Sequence, residues 1–263
     1  MFLIVVLLGI VEGVTEFLPV SSTGHLILVG HWVGFTGEAA NTFEIVIQLG
    51  AILAVVWEYR RQLVQHALSI GGDPSSRRFY LNILVAFLPA AVLGFLFHEA
   101  LKEHLFNPRN VAWALIVGAV VIYGVESLRL RPRTAAVERM GFGQALGVGV
   151  AQCAALFPGF SRSAATILGG LLAGLDRPTA AQFSFLLAIP TILGATVLDL
   201  ARSYGDLRTG DLIWIAVGFL ISFLAAWAAV RWFLRFVSHH SLRVFAAYRL
   251  AVGFVVLFLL GSG

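Results

Sequence analysis

The stretch Glu12-Gly-Val-Thr-Glu-Phe-Leu-Pro-Val-Ser-Ser-Thr-Gly-His25 places two carboxylates, a run of hydroxyls and an imidazole between two apolar segments. Ionisable residues inside a membrane segment are costly and are read as functional by default. Glu12 and Glu16 are four residues apart, so a helix that begins near Phe2 carries both on one face. Pro19 ends that helix, because proline lacks an N–H and disfavours the α conformation of the preceding residue.

A second short helix is predicted after this break. Ser21, Ser22 and Thr23 are natural N-caps, and the helix they begin carries His25. The N–H groups of a helix N-terminus form an anion site. Two acids beside such a site indicate phosphate together with a metal ion, whereas the alternative is merely the polar end of an amphipathic helix.

The composition is that of an integral membrane protein. Of 263 residues, 59% are hydrophobic and 12% are charged, and the mean hydropathy is +0.90. Such values exclude an ordinary soluble domain. The apolar runs are long and do not alternate, so they predict helices instead of a barrel. A single cysteine, Cys153, excludes an internal disulfide.

We predict an all-α integral membrane protein with about six transmembrane helices and two re-entrant helix–loop–helix hairpins. The predicted spans are Thr42–Tyr59, Phe79–His98, Val111–Leu128, Thr179–Ala201, Leu212–Phe233 and Val244–Leu260. The hairpins are Phe2–Gly34 and Gly141–Leu175, which Pro19 and Pro158-Gly159 interrupt. Each half is too short to cross a bilayer, which takes about 20 helical residues.

The two hairpins are related by a shift of 140 positions. That shift aligns, among others, Gly9 with Gly149, Ser21 with Ser161 and Gly34 with Gly174, without a gap over more than forty residues. We therefore expect a single membrane domain, 1–263, made of repeat one (about 1–140) and repeat two (about 141–263). A hairpin plus three spans is an odd number of crossings, so the copies have inverted topology.

The basic residues support this arrangement. If the loop from Tyr59 to Arg78 is inside, thirteen arginines lie inside: Arg60, Arg61, Arg77, Arg78, Arg129, Arg131, Arg133, Arg139, Arg177, Arg231, Arg235, Arg243 and Arg249. Outside are Lys102, Arg109, Arg202 and Arg208. The positive-inside rule then places both termini outside. The one remaining basic residue, Arg162, lies within the second hairpin.

Inverted hairpins bring their tips together near the membrane midplane. The combined site would contain Glu12, Glu16, Ser21, Ser22, Thr23, His25, Ser161, Arg162, Ser163 and Thr166. The planar fork of Arg162 suits phosphate oxygens. Alternatively, Arg162 pairs with one of the two acids and only holds the hairpins together.

Two carboxylates and one arginine leave the site with a net negative charge, which would repel a diphosphate. Either a divalent cation bridges the acids and the phosphate, or burial protonates one Glu. Oxygen ligands favour Mg²⁺ or Ca²⁺ over zinc. Ser22 and His25 are three residues apart, so they can approach as nucleophile and base. His25 itself or a water molecule could also be the nucleophile.

The sequence at 12–25 and Pro158-Gly-Phe-Ser-Arg-Ser163 resemble the two signature motifs of the undecaprenyl-diphosphate phosphatases, the bacitracin-resistance family. The likeness continues through Thr42–Gly50 and Phe183–Leu187 and covers nearly the whole chain. It implies hydrolysis of the C55 lipid diphosphate to the monophosphate carrier of cell-wall synthesis, in the bacterial inner membrane. The family usually has glycine where Ala164 stands. We expect a helical Ala164, for which alanine is favourable.

The resemblance assigns roles to the residues of the site. Glu12 and Glu16 would bind the metal, while Ser22, His25, Glu16 and Arg162 would be catalytic. The substrate would contact Ser21, Thr23, Ser161, Arg162, Ser163 and Thr166. The partners of the protein would be the lipid substrate, membrane lipids and, in a homodimer, a second copy of the chain. No nucleic acid would be a partner.

Two other classes of protein fit parts of the sequence. Inverted repeats with broken helices are also the architecture of secondary transporters, so a transporter or flippase for a phosphorylated lipid or anion is the alternative. A purely structural membrane scaffold would leave the buried acids and Arg162 without a purpose. Fold alone does not choose between an enzyme and a transporter.

Overall fold

Long apolar runs become helices throughout the part of the chain that the computed structural model describes, residues 1–105, 107–128, 130–202 and 212–261. Of residues 38, 39, 41, 98–104, 198–202, 212 and 261 only the backbone is described. The ten α-helices in these ranges are α1 (Phe2–Thr15), α2 (Ser22–Trp32), α3 (Glu38–Ser69), α4 (Pro74–Leu105), α5 (Pro108–Ser127), α6 (Phe142–Gln152), α7 (Arg162–Leu172), α8 (Arg177–Arg202), α9 (Leu212–Val237) and α10 (Arg243–Gly261). The same ranges contain no β-strand, only one isolated bridge between Thr134 and Leu175.

Within the described ranges, six helices are long and apolar enough to cross a membrane, which confirms the predicted number. Their apolar segments are Thr42–Ser69, Pro74–Phe97, Pro108–Ser127, Arg177–Val197, Ile213–Val237 and Arg243–Leu260. Large apolar side chains such as Leu84, Phe95 and Phe258 lie exposed on them. A helix that is apolar on its exposed face is stable in lipid but not in water.

The order of elements in the first half recurs in the second. In the part of the chain that the structure describes, each half has two short α-helices followed by three long ones. Ser21 and Ser161, which the shift of 140 aligns, both have positive φ, at 74° and 78°. Gly34 and Gly174, which the same shift aligns, also both have positive φ, at 67° and 90°. The inverted relation of the halves, the re-entrant character of the short helices and the boundary near residue 140 stay predictions.

Each short leading helix packs on a long helix from the other half, α1 on α9 and α6 on α4. Glycine allows the close approach: a Cβ on Gly13 would lie 2.5 Å from the carbonyl oxygen of Ser222, and one on Gly149 2.5 Å from that of Ala86. Small residues at such crossings are typical of helix packing in membranes. The two halves are thus interleaved, which brings the breaks in both leading helix pairs to the same region.

The structure corrects two of the predictions made from the sequence, the end of the first helix and the location of Arg249. Helix α1 ends at Thr15, four residues before Pro19, and residues 16–20 form a turn. Arg249 does not lie at an inner end of α10, because its side chain is fully buried, so it does not belong in the charge count. The side chains of Lys102, Arg129, Arg202 and Arg208 in that count lie outside the described residues.

Candidate active site

Residues 16–21 connect α1 to α2, and we call them the first tip. Residues 153–161 connect α6 to α7 as a 3-10 turn, Cys153–Leu156, and a loop, residues 157–161. We call this loop together with the first two residues of α7, residues 157–163, the second tip. The tips are in contact, since Ser163 Oγ donates a hydrogen bond of 2.7 Å to the carbonyl oxygen of Leu18. The predicted meeting of the two motifs is therefore present in the structure.

Ser21 and Ser161 begin the helices that follow the tips. The Oγ of Ser21 accepts a hydrogen bond from the N–H of Gly24 at 3.3 Å, and that of Ser161 accepts from Ala164 at 3.2 Å. Positive φ in a residue other than glycine costs roughly 1–3 kcal/mol and persists only where the surroundings hold it. The strain therefore lies at the serines, while Ala164 is helical as expected.

Glu16 joins the two tips through its side chain. Ser22 Oγ donates a hydrogen bond to Oε2 of Glu16. Arg162 Nη2 donates to the other oxygen, Oε1, at 3.1 Å in an ion pair that is nearly buried. One carboxylate thus contacts a hydroxyl from the first motif and a guanidinium from the second. Burial strengthens such charge-assisted hydrogen bonds because little water competes with them.

Arg162 has further contacts that fix its orientation. Its Nη1 donates to the carbonyl oxygen of Ser184 at 3.0 Å, and its guanidinium carbon lies 5.7 Å from the centre of the Phe17 ring. The Nε is buried and has no hydrogen-bond partner. The ion-pair alternative raised by the sequence is therefore realised, yet the guanidinium retains a free donor.

Glu12 lies one helical turn before Glu16 and is 1% exposed. Its Oε1 has no hydrogen-bond partner, although buried carboxylate oxygens normally have one. Among the described residues no three His, Cys, Asp or Glu side chains cluster as ligands of a metal ion. The two acids therefore fit an ion only as a partial set of oxygen ligands, to which a phosphate would add the rest.

The expected contact between Ser22 and His25 is not made. His25 Nδ1 lies 2.7 Å from the carbonyl oxygen of Ser21, and Nε2 lies 2.7 Å from the hydroxyl of Tyr248. Because a carbonyl can only accept, Nδ1 carries the proton and Nε2 accepts from Tyr248. Both ring nitrogens are thus engaged, while the hydroxyl of Ser22 turns to Glu16.

A cavity of about 720 Å³ opens beside the tips. Its polar lining consists of Glu16, Ser21, Ser22, Thr23, Gln48, Gln152, Ser161, Arg162 and Thr191. Its apolar lining comes mainly from α4, α8 and residues 155–158, including Phe87, Phe95, Leu156, Phe157 and Val197. Phe95 and Val197 are mostly exposed, so this apolar part reaches the outer face of the helices. The cavity therefore suits a molecule with a charged head and an apolar tail.

Six of the ten predicted site residues line this cavity: Glu16, Ser21, Ser22, Thr23, Ser161 and Arg162. Glu12, His25, Ser163 and Thr166 are not among its lining residues within the described part of the chain. Thr166 Oγ1 instead bonds to Ser184 Oγ at 2.6 Å. Ser163 and Thr166 thus bond to the first tip and to α8, respectively, and do not line the cavity.

Three polar cavity residues, Gln48, Gln152 and Thr191, are not among the predicted site residues. Gln152 is 1% exposed, accepts a hydrogen bond from Thr191 at 3.3 Å, and has an Nε2 without a partner. The repeat contains a signal for Gln152, because the shift of 140 aligns Gln152 with Glu12. Tyr248 and Arg249 were missed as well, since nothing in the pattern of α10 places them at the tips.

The family model for the bacitracin resistance protein BacA matches residues 5–255. The chain belongs to the BacA family. That match includes both tips and every residue that lines the cavity. The family resemblance inferred from residues 12–25 and 158–163 is confirmed.

Curated members of the BacA family are similar to the chain over nearly its whole length. An undecaprenyl-diphosphatase from Aromatoleum aromaticum is 52% identical, over 98% of this chain and 94% of that protein. Another from Dechloromonas aromatica is 52% identical over 95% and 92%. Undecaprenyl-diphosphatase 2 from Rhodospirillum rubrum is 52% identical over 98% and 94%.

Proposed function

We propose that the chain hydrolyses undecaprenyl diphosphate to undecaprenyl phosphate and inorganic phosphate, and so recycles the lipid carrier of cell-wall synthesis. The family and the names of its curated relatives supply the reaction. The observation that carries the site is the Glu16 carboxylate, which bonds to Ser22 and to Arg162 at the polar end of an apolar cavity.

The lining of the cavity matches the two parts of this substrate. The apolar walls from α4 and α8 would hold the first isoprene units of the tail, and the rest of the tail would extend into lipid past Phe95 and Val197. The diphosphate would lie between the N-termini of α2 and α7. There Ser21, Thr23 and Ser161 supply hydroxyls, and the helix ends supply N–H groups and a positive dipole.

Ser22 is the nucleophile that this geometry favours, with Glu16 as its base. The Ser22 Oγ forms a bond to the terminal phosphorus while the bond from that phosphorus to the bridging oxygen breaks. The hydroxyl proton passes to Glu16, and undecaprenyl phosphate leaves with the bridging oxygen. Water then displaces the phosphate from Ser22, Glu16 returns its proton to Oγ, and the water hydrogens leave with inorganic phosphate.

His25 has a different role in this proposal. Its two ring nitrogens are occupied by Ser21 and Tyr248, and it does not line the cavity. It therefore positions the first tip by holding the carbonyl of the strained Ser21. This leaves water as the other candidate nucleophile, with Glu16 as its base.

Arg162 binds the diphosphate in this proposal. It reaches the cavity, its Nε has no partner, and the ion pair with Glu16 gives its fork a fixed orientation. A positive charge fixed in advance stabilises the charge that builds on the phosphoryl oxygens in the transition state.

Glu12 and Glu16 would hold a divalent cation, Mg²⁺ or Ca²⁺. The unpartnered, buried Oε1 of Glu12 is the observation that supports this. When bound, the cation would neutralise part of the charge on the diphosphate. Without it, bringing a diphosphate toward two buried carboxylates requires one of them to be protonated.

The six apolar helices make the chain a multi-pass membrane protein. We also propose that the protein lies in the bacterial inner membrane, has both termini outside and forms a homodimer. The accessibility of single cysteines introduced near Met1 and in the loop at Gly71, in a Cys153→Ala background, tests the orientation. Accessibility of both positions from the same side would contradict it.

The test of function is phosphate release from a C15 or C55 prenyl diphosphate by the purified protein. Release of inorganic phosphate in detergent, where no compartments exist, indicates hydrolysis. A transporter or flippase would instead move the lipid between leaflets of vesicles and leave the diphosphate intact. No release from folded protein with either metal would contradict the phosphatase.

A further inference from the structure

Arg249 of α10 is fully buried and lies where the two tips meet. Its Nη1 donates to the carbonyl oxygens of Pro19 in the first tip at 3.2 Å and Phe160 in the second tip at 2.8 Å. Its Nη2 donates to the carbonyl oxygen of Gly159 at 3.1 Å. One guanidinium thus contacts the backbone of both tips.

The remaining donors of Arg249 bond to α5. Nη2 also donates to the carbonyl oxygen of Ala114 at 3.1 Å, and Nε to that of Leu115 at 3.2 Å. A guanidinium has five N–H donors, and here each has one carbonyl acceptor. A lysine, with three donors on a single nitrogen, could not make all five bonds.

The carbonyls of the tips that Arg249 holds lie one or two residues before the strained serines. Phe160 precedes Ser161, and Pro19 lies two residues before Ser21. Both serines hold positive φ and begin the helices that line the cavity. Fixing these carbonyls therefore sets the direction in which α2 and α7 leave their tips, and with it the meeting of Ser22, Glu16 and Arg162.

Packing alone does not explain an arginine at this position. No carboxylate contacts Arg249 among the described residues, and a buried charge without a counter-ion is costly. The neighbouring helix α5 leaves space for the guanidinium of Arg249 at Gly118, because a Cβ on Gly118 would collide with that guanidinium. An apolar side chain would fill the space at lower cost but could not bond to the tips.

We infer that Arg249 is a positioning residue that sets the relative placement of the two tips and so assembles the catalytic groups. It touches neither the cavity nor the proposed reacting atoms. The inference rests on the proposed site, because it takes the tips as the place of reaction.

Two variants disturb Arg249 by different routes. Arg249→Lys removes donors directly, and Gly118→Ala displaces the guanidinium while every bonding group is kept. Gly124→Ala is the matched control, since it lies on the same helix and a Cβ there meets nothing within 4 Å. If Arg249→Lys does not fold, Gly118→Ala still tests the inference.

Kinetics on prenyl diphosphate distinguish positioning from general destabilisation. We expect kcat per folded protein to fall about 10- to 100-fold in Arg249→Lys and Gly118→Ala, since small misplacements of reacting groups have such effects. KM should change by less than about threefold, because the apolar wall that α4 and α8 form for the tail is intact. Gly124→Ala should match the wild type. Unchanged kcat in both variants overturns the inference.

A second readout does not depend on activity. Spin labels at Trp32→Cys and Leu172→Cys, in a Cys153→Ala background, report on the exposed far ends of α2 and α7. We expect one narrow distance distribution that broadens with Arg249→Lys or Gly118→Ala and not with Gly124→Ala. An unchanged distribution contradicts the inference. If the distances broaden while Ser22→Ala and Arg162→Ala remain fully active, the proposed site fails and the positioning by Arg249 stands.

Discussion

The hydroxyl of Ser22 donates a hydrogen bond to the carboxylate of Glu16 across the break between α1 and α2. The two residues are six positions apart, a spacing that no single helix would bring into contact. The contact depends on the turn of residues 16–20 and on Ser21, whose positive φ reverses the chain. The first tip therefore places the carboxylate of Glu16 beside the hydroxyl of Ser22, the first residue of α2, as the proposed base and nucleophile require.

The first prediction concerns this pair. Ser22→Ala removes the attacking oxygen, so we expect kcat for prenyl diphosphate to fall at least 10²- to 10⁴-fold, the range associated with loss of a positioned proton-transfer pair. Acid-quenched wild-type protein should carry phosphate on Ser22, detectable by mass spectrometry. Ser238→Ala is the control, since Ser238 is exposed and its hydroxyl donates to the carbonyl oxygen of Leu234, one turn earlier in the chain. Retention of activity within tenfold in Ser22→Ala would favour water as the nucleophile.

The second prediction separates positioning from acid–base chemistry at His25. Tyr248→Phe removes one hydrogen bond to the ring, and His25→Asn keeps a donor near the position of Nδ1. Both should lower kcat only about 2- to 10-fold, the worth of one hydrogen bond, and leave the shape of the pH–rate profile unchanged. A titration limb that disappears in His25→Asn would identify His25 as the base and contradict the proposal.

The third prediction concerns the metal. EDTA should abolish phosphate release, and excess Mg²⁺ or Ca²⁺ should restore it. Glu12→Gln keeps the shape of the side chain and removes a charge, so the metal concentration for half-maximal rate should rise by about tenfold or more. Glu138→Gln, which alters an acid that bonds to Gln62 away from the cavity, is the control. Full activity in EDTA would show that burial protonates a Glu instead.

The fourth prediction concerns the apolar wall. A Cβ on Gly94 would lie 3.3 Å from a methyl of Leu156 inside the cavity. Gly94→Leu should therefore exclude part of the tail and raise KM for a C15 diphosphate about tenfold, with a smaller effect on a C5 diphosphate. Gly124→Leu, at an exposed position of α5, should leave KM unchanged. Equal effects on both chain lengths would place the tail elsewhere.

Much of the fold was predictable because membrane burial leaves a strong signal in sequence. The six long apolar runs follow from length and composition, and candidate membrane spans occur where they predict them. The repeat at 140 positions follows from aligning the sequence with itself, and its inverted arrangement stays a prediction. The end of α1 was placed too late, because proline indicates where a helix cannot continue and not where it stops. Thr15 ends it earlier, through a turn that the sequence does not specify.

The candidate site was predictable in its members but not in all its contacts. Helical spacing suggested that Ser22 and His25 approach each other, yet the reversal at Ser21 turns the hydroxyl toward Glu16. A serine with positive φ has no sequence signal, since glycine or asparagine is the usual residue there. Arg249 was placed by a rule for loop arginines, although it is held by backbone carbonyls, which every residue possesses.

The central claim is that the two tips form one site through Glu16. Its most direct test is phosphate release from a C15 prenyl diphosphate by the wild type, Glu16→Gln and Arg162→Ala, with Arg231→Ala as the control. Arg231 also forms an ion pair with a glutamate, at 3.7 Å from Glu58, and is half-exposed. We expect both site variants to lose at least about 10²-fold in kcat/KM and Arg231→Ala to retain wild-type activity. Wild-type activity in Arg162→Ala would mean that the second tip takes no part in the reaction, and would contradict the account.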